Sequence, residues 1–241
     1  MTIDTANSWH YNIHMSTQLH TALSSILAMP YFKNEHARSG GAVHGHEDAV
    51  AVKLGGSGFA EIQKTAYPKL TKGLLKKWAE TGDDTDLRKV TGTLANGTYI
   101  VQPAGSQGFP DILVRDFNDR FVAIECKSGK NGQCPMWNDN VPKPTTIYVL
   151  SSGIQDATTL FMGRDVITEA EQKLMDEQEA AIAKVVKEYN AKMSAIDIHN
   201  RGWLQKSRKQ HFQGGGNAKT NYFTHASRET CETNALQYAN D

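Results

Sequence analysis

Two acidic residues and a lysine stand at the ends of two short apolar runs near the middle of the chain. Asp111 comes just before the run "ILV", and Glu125 and Lys127 lie at the end of the run "FVAI". The polar stretch "DFNDR" between the runs predicts a hairpin, and an odd-length turn centred on Asn118 sets Asp111 opposite Glu125. Because side chains alternate along a strand, the three groups would share one face, with the Cβ atoms of the two acids about 5 Å apart.

This prediction depends on the register of the two strands. The same odd-length turn places Leu113 opposite Ala123 and Arg115 opposite Phe121. Arg115 lies on the same face but nearer the turn, so we expect it to take no part in the chemistry. A two-residue turn would shift the pairing by one residue and move Asp111 to the other face.

Two carboxylates this close repel each other unless a cation lies between them. With no third acid nearby in the sequence, the pair suits a hard divalent cation that keeps several waters, and Mg²⁺ is the natural candidate. A neighbouring lysine could orient or help to deprotonate a water, or stabilise charge on a phosphate. The three groups together favour metal-assisted phosphodiester hydrolysis. The simpler alternative is a surface hairpin with an ion pair between Glu125 and Lys127.

The spacing of these residues resembles a nuclease signature. Pro110-Asp111, thirteen intervening residues and then Glu125-Cys126-Lys127 are similar to the PD-(D/E)XK motif, which most type II restriction endonucleases share. The resemblance implies that Asp111, Glu125 and the backbone carbonyl of Cys126 bind Mg²⁺, and that Lys127 positions or activates the attacking water. It is firm for residues 108–129 and looser over 42–165.

The same family often carries a further acid on a helix that precedes the hairpin. Glu47 in "HGHEDAVAVKLGGSGF" occupies a comparable place and is the candidate for this catalytic role. Asp48 and Glu61 are alternatives, because the match at this point is weak.

The resemblance also implies an activity and its partners. We expect a Mg²⁺-dependent, sequence-specific double-stranded DNA endonuclease of the type II restriction class, leaving 5′-phosphates. It would act as a cytoplasmic homodimer, because a two-fold protein matches a palindromic site, beside a cognate methyltransferase that it need not contact. The alternatives are a structure-selective or repair nuclease, such as a junction resolvase, and a non-catalytic DNA-binding module that keeps the fold.

The elements around the hairpin predict an α/β domain with a mixed central sheet flanked by helices, similar to the restriction endonucleases. Short strands are predicted in "GTYIVQ", "TTIYVLSS" and "TTLFMG", and "GDDTDLRK" is expected to be a surface loop. Helices are predicted over residues 16–29, with Ser16 as N-cap, from 46 to a stop at Gly55 and Gly56, and over 68–80. We expect one domain over residues 1–241, with a catalytic core at 42–167.

A long helix is predicted over residues 168–197. Thr168 and Glu171 form a capping-box signature, and apolar residues recur at helical spacing behind them. Their stripe could be buried in the core of the same chain or could form a dimer seam, and the sequence does not decide between these two.

The remaining segment, 198–241, is predicted to be an irregular, basic extension and the candidate for DNA recognition. The net charge of the chain is zero, but residues 198–228 carry six Lys or Arg and no Asp or Glu, interleaved with aromatic residues. A solvated extension is the alternative. The candidate DNA contacts are Ser128, Lys130, Asn131, Arg201, Lys206, Arg208, Lys209, Gln213, Asn217, Lys219, Asn221 and Arg228.

Several other classes of protein are disfavoured. The stretch "QGGGNAKT" lacks the glycine positions of a phosphate-binding loop, so an ATPase is not expected. Three cysteines without CxxC spacing favour neither a disulfide framework nor a zinc finger. His44 and His46 are interpreted as polar residues at a helix end, because a zinc site would need further ligands. No apolar run is long enough for a membrane span, and the N-terminal residues do not resemble a secretory signal.

Overall fold

A six-stranded mixed β-sheet forms the centre of the computed structural model, which describes residues 17–31, 45–129, 131–135, 137–138, 141–206, 210–214 and 219–241. The strand order is β1-β2-β3-β4-β6-β7; β1/β2 and β4/β6 are parallel, and the other neighbours are antiparallel. The strands are β1 (Ala60–Glu61), β2 (Thr98–Val101), β3 (Ile112–Arg115), β4 (Phe121–Gly129), β6 (Thr146–Ser152) and β7 (Ala157–Met162). A separate pair consists of β5 (Trp137–Asn138) and β8 (Gln210–His211).

Helices cover both faces of this sheet. The helices are α1 (Gln18–Leu27), α2 (Gly45–Gly56), α3 (Lys72–Thr81), α4 (Thr85–Thr91), α5 (Gly163–Val166), α6 (Glu169–Ala195) and α7 (Arg228–Tyr238). Among the described residues, no helix combines the length and the apolar character needed to cross a membrane. The prediction of an α/β fold with a mixed sheet flanked by helices is therefore confirmed.

The two faces are built from alternate residues of the same strands. Ile112 and Ile124 point into a core with α1, α2 and α7, whereas Leu113 and Ala123 point into a core with α3 and α4. The whole of β6 is buried, as its continuous β-branched and aromatic sequence predicts. Strand β4, which carries Glu125 and Lys127, is therefore paired with a fully buried strand.

Two predictions of local structure were wrong in detail. The N-cap of α1 is Thr17, whose side chain accepts the His20 amide at 3.1 Å; Ser16 lies outside the described residues. The segment expected as a loop contains α4, because Leu87 is buried and Arg88 bridges Asp84 at 2.8 Å. So short a helix leaves almost no periodic signal in the sequence.

The C-terminal segment is not an irregular extension. Residues 228–238 form α7, which packs against β7, and Ala235 and Ala239 are fully buried in the core shared with α1. Upstream of α7, Tyr222 and Phe223 lie in a third cluster with Trp137, and the Tyr222 and Phe161 rings stack at 4.5 Å. This part of the segment is a structural component of the domain.

Candidate active site

The hairpin has the register that the sequence predicts. Leu113 pairs with Ala123 and Arg115 with Phe121, so the turn between the strands has an odd length of five residues. The turn is held by Asp116, whose carboxylate accepts the backbone amides of Asn118 at 2.9 Å and Arg120 at 2.8 Å. These local hydrogen bonds set the parity of the hairpin.

The three groups meet where β3 begins. The Asp111 carboxylate accepts the Cys126 amide at 2.7 Å, and the Glu125 carboxylate accepts the Asp111 amide at 3.2 Å. The Lys127 ammonium donates to the other Glu125 oxygen at 2.6 Å. Each carboxylate is thus bound to the backbone or side chain of another member of the group, and the cluster is one connected unit.

Arg115 stays outside this unit, as expected. Its guanidinium donates to the Asp119 carboxylate at 2.8 Å and to the carbonyl of Leu94 near the turn. Arg115, which the strand alternation places on the same face as Asp111, therefore stabilises the tip of the hairpin.

The surroundings of the Asp111 carboxyl disfavour its ionised form. Burial raises its pKa from an ordinary value of 3.8 to about 8, and the charges of Glu125 and Glu47 act in the same direction. Burial alone would lower the pKa of Lys127, but the charges of Glu125 and Asp111 outweigh burial and raise it. The charges of Glu125 and Glu47 thus add to the cost of ionising the buried Asp111, and Lys127 offsets part of that cost.

The oxygen atoms around Asp111 suit a hard cation. Cys126 directs its amide toward Asp111, and because the N–H and C=O of one strand residue point to the same side, its carbonyl points to the β3 side of β4 as well. With the two carboxylates it forms a set made only of oxygen donors, which is what Mg²⁺ prefers. Within the described part of the chain, no three His, Cys, Asp or Glu side chains come close enough to hold one metal.

Glu47 lies in the first turn of α2, close enough for its charge to raise the pKa of Asp111. Its carboxylate accepts the Gln102 side-chain amide at 3.0 Å. The alternatives are placed differently. Asp48 is exposed. Glu61 lies in edge strand β1, where burial and, to a lesser extent, the charge of Glu61 raise the pKa of Tyr99. Of the three acids, Glu47 is the one whose charge raises the pKa of Asp111.

Gln102 is a residue of the site that the sequence did not single out. Its backbone amide donates to the carbonyl of Asp111 at 2.6 Å, while its side chain holds Glu47. It does so in a left-handed backbone conformation, φ 48°, which is uncommon for a residue other than glycine. The sequence signal that could have indicated Gln102 is a polar residue directly after a buried strand and before a proline, as in "IVQP".

The neighbouring His46 lies at the start of α2, beside Glu47. Its ring nitrogen contacts the carbonyl of Val149 at 3.3 Å, and burial lowers its pKa, which the Val149 bond and Glu47 oppose. His44 lies outside the described residues. The interpretation of His46 as a polar residue at a helix end agrees with these contacts.

Three of the predicted DNA contacts are engaged inside the protein. Gln213 donates to the carbonyl of Val166 at 2.8 Å and accepts the hydroxyl of Tyr222. Asn221 donates to the carbonyl of Asn131 at 3.2 Å, and Arg228 pairs with Glu232 at 2.7 Å. The bonds of Gln213 and Asn221 hold the C-terminal segment to the domain, whereas the pair of Arg228 lies within α7.

The other predicted contacts remain on the surface or outside the described residues. Ser128 and Asn131 are exposed at the end of β4, and Lys219 is exposed above the Phe212 ring at 5.3 Å. Arg201 and Lys206 are exposed in a segment that returns to α6, where the Gln205 amide donates to Asn190 at 2.9 Å. The positions outside the described residues are Lys130, Arg208, Lys209 and Asn217.

Comparison of the chain with family models, with curated proteins and with solved structures finds no match. The site must therefore be interpreted from its own geometry.

Proposed function

We propose that this chain is a Mg²⁺-dependent endonuclease that cuts double-stranded DNA at specific sequences, as the type II restriction enzymes do. The observation that carries the proposal is the connected unit of Asp111, Glu125 and Lys127 on one face of an antiparallel hairpin. A hairpin stabilised by its core alone has no need of two crowded, half-buried acids, because burying charge is costly.

The donor set fits Mg²⁺ by its chemistry. Asp111, Glu125 and the Cys126 carbonyl offer oxygen atoms, and a bound cation would offset the cost of ionising Asp111, whose pKa is raised by burial and by the charge of Glu125. When bound there, Mg²⁺ would polarise a phosphate oxygen and make a coordinated water more acidic. Glu47, held by Gln102, adds negative charge at the edge of the same site.

Lys127 is the group that would act on the water and on the phosphate. Its ammonium is fixed by Glu125 at 2.6 Å and has two further protons to donate. From this position it orients a water for in-line attack and stabilises the negative charge that develops on the phosphate. The water oxygen bonds to phosphorus as the bond to the 3′ oxygen breaks, and the 3′ oxygen takes up a proton, which leaves a 3′-hydroxyl and a 5′-phosphate.

DNA would approach along the end of β4. Ser128 and Asn131 are exposed directly beyond Lys127, and the bond between Asn221 and Asn131 brings the segment that carries Lys219 to the same edge. These side chains can contact phosphates and base edges. Action as a homodimer would supply one active site for each strand of a palindrome.

The test is digestion of a phage genome of known sequence in Mg²⁺, followed by mapping of the fragment ends. We expect discrete fragments with 5′-phosphates, no cleavage in EDTA, and none with Glu125→Gln, which keeps the size of the side chain. Cleavage of branched substrates alone would assign the site to a structure-selective nuclease. Sequence-specific binding without cleavage would assign it to a DNA-binding module, and neither cleavage nor binding would overturn the proposal.

A further inference from the structure

The longest helix of the molecule leaves its apolar side uncovered. None of the 27 residues of α6, all of them in the described part of the chain, is buried. Leu174 is 68% exposed, Val185 54% and Tyr189 56%. Amphipathic helices in proteins are stabilised mainly by packing of the apolar face, so a helix of this kind needs a surface to cover it.

The apolar residues of α6 follow the spacing of paired helices. Met175, Ile182, Tyr189 and Ile196 recur every seven residues, and Val185 and Met193 lie beside this row. A seven-residue apolar repeat keeps one side of a helix facing a partner helix over its whole length, which is about 40 Å for 27 residues.

The charges of the helix are divided between its halves. Residues 169–181 carry five Asp or Glu and one Lys, whereas residues 182–195 carry three Lys and one Glu. Two copies of such a helix attract each other when they run antiparallel, because each acidic half then faces a basic half. A parallel pair would place like charges side by side.

We propose that α6 pairs antiparallel with α6 of a second copy of this chain, with a two-fold axis at Ile182, the midpoint of the helix. Ile182 then packs on its own symmetry mate, and Met175 packs on Tyr189 of the second copy. Such an interface is self-complementary, as a closed dimer requires. The proposal does not depend on the nuclease chemistry.

The segment after α6 widens the same surface. Residues 201–206 return along the helix, where Asn190 and Gln205 exchange two hydrogen bonds of 3.0 and 2.9 Å. A shallow groove lies between them, lined by Ala181, Ile182, Val185, Val186, Tyr189 and Gln205. Trp203 and Leu204, 70% and 65% exposed, extend the apolar surface beside it. A contiguous apolar surface of this kind marks an interface.

The first test is the mass of the full-length protein in solution, by light scattering coupled to size-exclusion chromatography. We expect twice the 26.6 kDa of the chain for the wild type and a single chain for Ile182→Glu, with unchanged circular dichroism. Ala180→Glu, on the opposite side of the helix, is the matched control and should remain dimeric. A monomeric wild type, or an Ile182→Glu variant that still forms dimers, would overturn the proposal.

The second test measures the direction of the pair. Met175→Cys and Tyr189→Cys proteins are oxidised separately and as a mixture, with the wild type as control for the native cysteines. The antiparallel pair predicts a cross-linked dimer only in the mixture. Cross-linking of Met175→Cys alone would show a parallel pair and contradict the proposed arrangement.

Discussion

The hairpin and the C-terminal segment were both expected to act on DNA, yet they use their polar groups in opposite ways. In the hairpin, Asp111 and Glu125 are crowded together with one lysine beside them. In the C-terminal segment, Gln213, Asn221 and Arg228 are bound to partners inside the domain. We therefore expect a functional site where buried acids share a single positive partner, as in the hairpin. Where polar side chains have their hydrogen bonds satisfied within the domain, as in the C-terminal segment, we expect a structural element.

Two ion pairs show this difference at similar exposure. The side chains of Lys127 and Glu125 are 26% and 13% exposed, and those of Arg228 and Glu232 are 31% and 15% exposed. The first pair has Asp111 as a third charged neighbour, while Arg228 completes its contacts on the Phe223 ring. The same kind of pair should therefore govern catalysis in one place and stability in the other.

The largest expected effect is the loss of cleavage on replacement of Lys127. Lys127→Met should lower the single-turnover rate by roughly 10²–10⁴-fold, the range for removal of a positioned proton-transfer group. Arg228→Met, the matched variant, should keep its rate and lose about 1 kcal/mol of unfolding free energy. A normal cleavage rate for Lys127→Met, or a larger loss of rate for Arg228→Met than for Lys127→Met, would show that the two ion pairs do not differ in this way.

The next prediction concerns the pH dependence of stability in EDTA. Because the folded-state pKa of Asp111 is about 8 and its ordinary value is 3.8, protonation of Asp111 favours the folded state. This contribution is present in full below about pH 4 and is gone above about pH 8. Asp111→Asn, which does not ionise, should therefore gain in stability over the wild type across this range, as measured by urea unfolding.

Added Mg²⁺ supplies the control for that comparison. It should stabilise the wild type, because a bound cation offsets the repulsion, and leave Asp111→Asn almost unchanged. If the two proteins show parallel pH profiles in EDTA, the crowding of the acids has no energetic consequence.

A smaller effect is expected at Gln102. Gln102→Ala removes the amide that holds Glu47 while the backbone bond to Asp111 can remain. We expect the Mg²⁺ concentration for half-maximal cleavage to rise by roughly 10-fold, the lower end for residues that orient metal ligands. Asn200→Ala is the control, since Asn200 also has a positive φ, 50°, in a distant turn. Equal effects of both variants would indicate backbone strain alone.

The smallest effect distinguishes two residues of the C-terminal segment. Lys219→Ala should weaken DNA binding and reduce the salt dependence of affinity by about one unit in the log–log slope. Gln213→Ala should leave DNA affinity unchanged and cost about 1–3 kcal/mol of stability, because the hydroxyl of Tyr222 loses its acceptor. Fluorescence anisotropy at several salt concentrations and urea unfolding measure the two quantities.

The parts predicted from sequence are those that local rules determine. The parity of the hairpin follows from the five residues between Arg115 and Phe121, and the capping box of Thr168 and Glu171 begins α6 as expected. Strands β2, β6 and β7 were likewise visible as β-branched and aromatic runs. In each case, the residues that decide the structure are neighbours in the chain.

The parts that were missed depend on contacts distant in sequence. Nothing near Gln102 indicates that its amide reaches Glu47, 55 residues earlier. The C-terminal segment looked free because its polar residues resemble those of a DNA-binding tail, and the partners of Gln213, such as Val166, lie elsewhere in the chain. Composition describes which groups are present, whereas tertiary packing decides which of them are left available.

Asp111, Glu125 and the Cys126 carbonyl are proposed to form one divalent-cation site. Anomalous diffraction from crystals grown with Mn²⁺ in place of Mg²⁺ would locate a bound ion, with Asp111→Asn as the matched control. We expect an anomalous peak in contact with both carboxylates and the carbonyl, absent from the variant. No peak there, or ions bound only at other acidic positions, would contradict it.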